Sequence, residues 1–196
     1  ERRRRAGRSA PQERRAVNTK ILIVAEHDGT KLNASTAKCV TCAHAVPGAE
    51  ITVAVCAADA ETIASQAAKL QHVSKVIKVE NAANAHALAA VLAPQIAAVA
   101  KDYALVLGPS TTFGKDLMPR VAALLDAPQV SDIMAVESPT RFRRAVYAGN
   151  AIVTVEAEGS PQIVGTVRTA SFEAAGEGGS APVEAASGSA PIPTPR

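Results

Sequence analysis

The sequence contains no tryptophan, two tyrosines and three phenylalanines, so aromatic residues make up only 3% of its 196 residues. So few rings exclude the stacking surface with which proteins bind single-stranded nucleic acid. Apolar residues make up 47% and charged residues 20%, which excludes a disordered chain of low hydrophobicity. Because 42 of the apolar residues are alanine, we expect one folded domain with a core rich in small side chains.

Cysteine is also scarce. Three cysteines and no recognisable secretory signal argue against a disulfide framework, so a cytoplasmic protein is expected, or a mitochondrial matrix protein if the source is eukaryotic. Cys39 and Cys42 have the CxxC spacing of a dithiol centre or of half a zinc site. No second CxxC accompanies them, and the pair falls inside a predicted helix. We interpret both as structural and expect no metal; a thiol-redox protein is the less favoured alternative.

No segment has the composition of a membrane span. The longest uncharged stretch, 81–100, is interrupted by asparagine, histidine, proline and glutamine. Its larger apolar residues, Leu88, Leu92, Ile96 and Val99, recur at helical spacing. The stretch therefore predicts a helix with one buried stripe.

Positive charge is concentrated at the beginning of the sequence. Residues 1–20 carry a net charge of +6, which leaves about −3 for the remainder. Residues 1–17 are predicted to be an Arg-rich flexible arm; phosphate neutralisation and a mitochondrial transit peptide are the alternatives for it. From 174 to 196 the composition is Gly, Ala, Ser, Pro and Glu, which predicts a linker or tail. The domain between them is mildly acidic, and no nucleic-acid partner is expected.

Between these ends, apolar β-branched runs alternate with Ala-rich helical patterns. Strands are predicted at 21–25, 51–56, 73–79 and 103–107, with a weaker one at 129–130, and helices at 34–46, 60–70, 85–101 and 115–125. This alternation predicts an α/β fold, a Rossmann-like parallel sheet with helices on both faces. Shorter strand-like pieces at 133–136, 141–147, 151–157 and 163–167 predict a small antiparallel β meander, and the tails are predicted to be disordered.

The turn at 108–116 has the setting of a phosphate-binding loop, because it follows a strand and opens a helix. Five residues separate Gly108 from Gly114, and Asp116 follows Lys115, so the spacing excludes a P-loop. An anion or partner site at this helix start is one interpretation. The other is a strand-to-helix turn with a Ser or Thr cap and Pro119 near the first turn. The four histidines lie in no motif, so no catalytic residue is assigned.

Several motifs in order resemble one family, the alpha subunit of the electron-transfer flavoproteins, over its N-terminal domain at about 18–173. They are Ala25-Glu26-His27, Phe113-Gly114-Lys115-Asp116-Leu117-Met118-Pro119-Arg120-Val121-Ala122, Ser131-Asp132-Ile133, Tyr147-Ala148-Gly149-Asn150-Ala151, and Val167-Arg168 with Ser171-Phe172. The resemblance implies an electron carrier subunit with no bond-making chemistry of its own. It further implies an FAD-containing heterodimer with a beta subunit that carries electrons from primary dehydrogenases, such as acyl-CoA dehydrogenases, to a membrane quinone reductase.

The resemblance also has implications for FAD binding and for the residues that contact a partner. The family holds most FAD contacts in a second domain after the linker, so the C-terminal FAD-binding domain is expected to be absent here and the chain alone to bind no FAD. Some of four residues in the matched motifs, Lys115, Arg120, Tyr147 and Asn150, are predicted to face a partner or to orient the meander. The alternative is that Asn150 only tolerates a left-handed turn and that Arg120 forms an ordinary surface pair. The alternative function is a free-standing adenine-nucleotide-binding module, with Glu26, His27, Asp28 and the 108–114 loop at its site.

Overall fold

The computed structural model describes residues 18–186, in which four α-helices and nine strands form one mixed α/β domain. The helices are α1 (Ala34–His44), α2 (Glu61–Ala68), α3 (Ala89–Val99) and α4 (Thr112–Leu125). The strands are β1 (Thr19–Val24), β2 (Ala49–Ala57), β3 (Val73–Glu80), β4 (Leu105–Pro109), β5 (Gln129–Ser138), β6 (Arg141–Val146), β7 (Ala151–Glu156), β8 (Ile163–Val167) and β9 (Val183–Ala185).

All nine strands belong to one sheet, in the order β7-β6-β5-β8-β4-β1-β2-β3-β9. Seven neighbouring strands of this sheet are parallel to one another, namely β5, β8, β4, β1, β2, β3 and β9. Alternate residues of β1 point to opposite faces: Ile21 and Ile23 pack with α1 and α2, whereas Leu22 and Val24 pack with α3 and α4. The predicted Rossmann-like sheet with helices on both faces is therefore confirmed.

One strand lies elsewhere than the sequence pattern predicts. β8 is not part of the antiparallel meander; it is inserted between β4 and β5 and is parallel to both. All five of its residues are buried, as in a strand covered on both faces. The meander consists instead of β5, β6 and β7, which pair antiparallel at one end of the sheet.

Two of the resembling motifs meet where β8 ends, beside the first half of β5. Arg168 Nη1 donates to Asp132 Oδ2 at 3.2 Å, and the backbone N–H of Arg168 donates to the carbonyl of Ile133 at 2.9 Å. Asp132 has a φ of +60°, and its N–H donates to Thr166 Oγ1 at 2.9 Å. The motifs therefore join β5 to β8 across the register shift between Val130 and Ile133.

Two predicted helices have different boundaries in the structure. α4 begins at Thr112 with Thr111 as its N-cap, so Pro119 lies in the helix interior and not near the first turn. Pro119 is exposed, and the backbone hydrogen bond that its missing N–H would have made is lost. The stretch at 81–100 forms a short 3₁₀ turn (Ala82–Ala85) and then α3. Within 18–186, no helix is both long and apolar enough to cross a membrane.

Residues 174–186, here called the C-terminal strap, are ordered against the domain. The N–H groups of Gly178 and Gly179 both donate to the Lys69 carbonyl at 2.9 Å, and that of Ala181 donates to the Ala68 carbonyl at 3.0 Å. These bonds cap the last turn of α2, and β9 then pairs with β3. The expectation that the chain cannot order itself from about 174 is thus wrong for 174–186; the predicted arm at 1–17 and residues 187–196 lie outside the described residues.

Candidate functional site

The crevice between β1 and β4 is the candidate site. These neighbouring strands lead into α1 and α4, which pack on opposite faces of the sheet. In open α/β sheets, ligands bind where the connections diverge in this way, outside the carboxyl ends of the strands. The chain places Glu26 after β1 and Ser110 and Thr111 after β4.

Glu26 connects the beginnings of the two helices. Its Oε2 accepts a hydrogen bond of 2.6 Å from Ser35 Oγ in the first turn of α1, and its Oε1 accepts one of 3.1 Å from Thr111 Oγ1 at the N-cap of α4. Its backbone N–H donates to Thr36 Oγ1 at 3.0 Å. The half-buried carboxylate therefore bridges the crevice, and both of its oxygens accept hydrogen bonds from the protein.

His27 and Asp28 shape the loop that follows. His27 Nε2 donates to the carbonyl of Cys56 at 3.0 Å, and the N–H of Gly29 donates to His27 Nδ1 at 3.1 Å, so both ring nitrogens are hydrogen-bonded to the backbone. The Asp28 carboxylate accepts from the N–H groups of Lys31 and Thr30 at 2.7 and 2.9 Å. These bonds lower the pKa of Asp28 to about 2. Both side chains therefore stabilise the loop itself.

The cavities beside this loop are open, and the larger one carries charges of both signs. The larger has a volume of about 630 Å³, and its lining includes Glu26, Asp28 and Glu177 together with Lys31 and Lys69. FAD would bring a pyrophosphate, which needs helix N-termini free of other negative charge. The carboxylate of Glu26 already lies between both helix beginnings, so the residues of this crevice do not fit the pyrophosphate of FAD. Within 18–186 no cluster of three metal-ligating side chains occurs either.

The three cysteines lie in the core. Cys39 and Cys42 are fully buried in α1, and Cys56 is buried in β2. Burial raises the pKa of Cys42 and of Cys56 to about 12 and also raises that of Cys39, because a thiolate is poorly solvated there. A reactive dithiol needs the opposite shift, so this geometry supports a structural role for the pair.

We therefore expect the native thiols to resist alkylation. Iodoacetamide at mildly alkaline pH should modify all three cysteines in urea and none in the folded chain over the same period, because the thiolate is the nucleophile. The folded state holds these protons more tightly than the unfolded state, so stability should fall as the pH rises from about 9 to about 12. Rapid native modification of Cys39 or Cys42, or stoichiometric zinc, would contradict the structural role.

The structure places the four predicted partner residues in two separate groups. Lys115 and Arg120 are exposed on α4, which covers the middle of the sheet. Tyr147 and Asn150 lie in the turn between β6 and β7, at one end of the sheet, and are also exposed. β5 lies between the strands that α4 covers and the β6–β7 pair. The two groups therefore form two surfaces and not one cluster.

Exposed apolar residues in the hairpin that carries Tyr147 were not predicted from the sequence, and they lie on both faces of the sheet. Tyr147 is 81% exposed, Ile152 is 52% exposed and Val153 is 36% exposed. Ile152 and Val153 belong to β7, which has β6 on one side and no strand of 18–186 on the other. We call the β6–β7 hairpin with its connecting turn the edge hairpin. Its strands are recognisable as short strand-like pieces of the sequence, but their position at the end of the sheet depends on the strand order.

Comparison with known proteins agrees with the resemblance found in the sequence. The electron transfer flavoprotein domain family matches residues 21–191. The chain is 48% identical over 171 residues to the electron transfer flavoprotein subunit alpha of Pseudomonas aeruginosa, covering 87% of this chain and 55% of that protein. It is 43% identical over 164 residues to the alpha subunit of Paracoccus denitrificans, covering 83% and 52%.

A mitochondrial relative is also matched over about half of its length. The chain is 36% identical over 173 residues to the mitochondrial electron transfer flavoprotein subunit alpha of Dictyostelium discoideum, covering 84% of this chain and 48% of that protein. The chain thus spans about half the length of the curated relatives it matches. With a matching family domain over most of its length and alpha subunits as its relatives, this chain belongs to the electron transfer flavoprotein family.

Proposed function

We propose that this chain is the docking domain of an electron transfer flavoprotein alpha-type subunit. It binds a beta-type subunit, and the resulting heterodimer contains FAD and carries electrons from primary dehydrogenases, such as acyl-CoA dehydrogenases, to a membrane quinone reductase. Similarity to alpha subunits supports the family role. The structural observation that carries the docking role is the edge hairpin, which exposes Tyr147 at its turn and has no strand of 18–186 beyond β7.

In this proposal the chain contributes binding and not chemistry. Glu26, His27 and Asp28 lie at the usual ligand-binding edge of the sheet. Their hydrogen bonds go to their own loop, to the adjacent helix beginnings and to β2. The flavin, which accepts and donates the electrons, belongs to the complete complex. The isolated chain is accordingly expected to be colourless after purification with added FAD.

The edge hairpin has the features of an interface centre. Tyrosine is enriched at interfaces because it buries a large rigid ring with little loss of side-chain entropy. Tyr147, Ala148 and Gly149 have φ values of +50°, +54° and +97°, so the turn holds the tyrosine in a restricted backbone conformation. The outer backbone N–H and C=O groups of β7 are available for pairing, which an exposed edge strand offers to another chain.

Substitution of Tyr147 tests this docking surface. Tyr147→Ala should weaken binding to a purified beta-type subunit by about 30-fold or more, since a central aromatic anchor contributes at least about 2 kcal/mol. Isothermal titration at constant salt measures the change. Leu88→Ala is the matched control, because Leu88 is a large apolar residue, 55% exposed, before α3 on another part of the domain. Equal affinities of wild type and Tyr147→Ala would contradict the assignment.

Lys115, Arg120 and Asn150 are assigned smaller roles at the same partner. Lys115 and Arg120 lie on α4, a surface separate from the edge hairpin, and exposed charges away from an interface centre mainly affect the association rate and its salt dependence. Lys115→Ala and Arg120→Ala should therefore slow association a few-fold at low salt and have little effect at high salt. Asn150→Ala tests whether the turn that carries Tyr147 contributes to partner affinity.

A further inference from the structure

The carboxylate of Glu26 lies where sheets of this type hold a bound anion. The relevant position is the crevice between the carboxyl ends of β1 and β4, beside the beginnings of α1 and α4. Helix beginnings favour negative charge because their first N–H groups have no partner within the helix and the helix dipole is positive there. In this chain the negative charge comes from a side chain of the protein.

Hydrogen bonds hold the carboxylate from both sides. Ser35 Oγ donates from α1 at 2.6 Å and Thr111 Oγ1 donates from the N-cap of α4 at 3.1 Å. Ser35 is buried, and Glu26 is half-buried. None of the ion pairs found within 18–186 involves Glu26. Its charge is therefore stabilised by two hydroxyl groups that lie at the beginnings of helices, where phosphates also bind.

We propose that Glu26 closes this crevice by occupying the anion position with its own carboxylate. The chain thus keeps the architecture of a nucleotide-binding sheet while its anion site is filled from within. A phosphate entering the crevice would meet a negative charge at short range in a partly buried setting, where screening is weak. This inference concerns the crevice alone and does not depend on the docking role of the edge hairpin.

Removal of the carboxylate should open the site. In titrations with inorganic phosphate followed by backbone amide NMR shifts, Glu26→Ala should bind phosphate with a dissociation constant on the order of millimolar. The shifts should be centred on the N–H groups at 34–36 and 111–114. Wild type should bind at least about ten-fold more weakly, because the carboxylate occupies the same position. Glu26→Gln keeps most of the side-chain volume without the charge, so its affinity should lie between the two.

Glu80→Ala is the matched control. Glu80 Oε1 accepts a hydrogen bond of 3.0 Å from the N–H of Ala60, the N-cap of α2, so this carboxylate also faces a helix beginning. It faces one helix and lies outside the crevice between β1 and β4. Glu80→Ala should therefore remain as weak as wild type in phosphate binding, although it loses the same charge.

The results separate the proposal from its alternatives. The proposal is supported if Glu26→Ala binds phosphate most tightly, Glu26→Gln less tightly and wild type most weakly. If Glu26→Ala does not fold, the comparison of Glu26→Gln with wild type still shows whether removing the charge increases phosphate affinity. Equal affinity of all three proteins would overturn it. Equal affinity of Glu80→Ala and Glu26→Ala would also overturn it, since net charge alone would then explain the gain. Saturable AMP binding by wild type at 34–36 and 111–114 would show that the crevice is open.

Discussion

Gly114→Ala is expected to lower the free energy of unfolding by at least about 3 kcal/mol. This is a large loss of stability for the addition of one methyl group. A Cβ at position 114 would overlap the backbone carbonyl oxygen of Pro109. That carbonyl ends β4, and Gly114 lies in the first turn of α4, so the clash is between two elements that both pack in the core. Neither backbone can move without displacing the sheet or the helix. Urea unfolding measures the loss.

Gly108→Ala is the control for the same strand-to-helix connection. Its Cβ would meet Met118 Sδ at 2.8 Å, but the end of a methionine side chain can adopt another rotamer. We expect a loss of about 1–2 kcal/mol there. If Gly114→Ala costs no more than Gly108→Ala, the close approach of α4 to the end of β4 is not a constraint on the fold.

Phe142→Ala is expected to cost about 3–5 kcal/mol, as for other buried aromatic residues truncated in a core. Phe142 is the largest fully buried side chain of the domain described here and lies in β6. It pairs with Val136 of β5 and Val155 of β7 and packs in the core cluster that includes α1. It therefore anchors the edge hairpin to the domain. Thermal unfolding measures the loss of stability.

Arg143→Ala is the neighbouring control for this effect. Arg143 is exposed on the other face of β6, and its nearest carboxylate partner, Glu137, is 3.9 Å away. Such a surface pair contributes less than about 1 kcal/mol. A loss from Phe142→Ala as small as that from Arg143→Ala would mean that the hairpin is not anchored through this ring.

The arrangement of strands shows how far the sequence predicts this fold. The apolar run at 21–25 and the helical spacing at 34–46 depend on local pattern, and both elements are present as β1 and α1. The place of β8 depends instead on contacts with β4 and β5, which are distant in sequence. Its apolar run indicated a strand, but the run alone did not distinguish a central parallel strand from an antiparallel one.

The candidate site was predictable in position and not in detail. Residues 26–28 and 108–114 follow predicted parallel strands, so their meeting at one edge of the sheet was expected. The structure was needed to show that Glu26 accepts hydrogen bonds from hydroxyl groups at both helix beginnings. These two partners lie nine and 85 residues away in the sequence. The C-terminal strap was missed because its stability comes from backbone hydrogen bonds to α2 and β3, which its Gly-rich composition does not reveal.

Amide hydrogen exchange of the chain, alone and with a purified beta-type subunit, tests the docking claim most directly. Exchange reports the protection of individual backbone N–H groups. We expect the partner to slow exchange in the edge hairpin, 141–156, with the largest change around Tyr147 and along the outer side of β7. The same exchange rates at 141–156 with and without the partner would contradict the proposal that this hairpin is the docking surface.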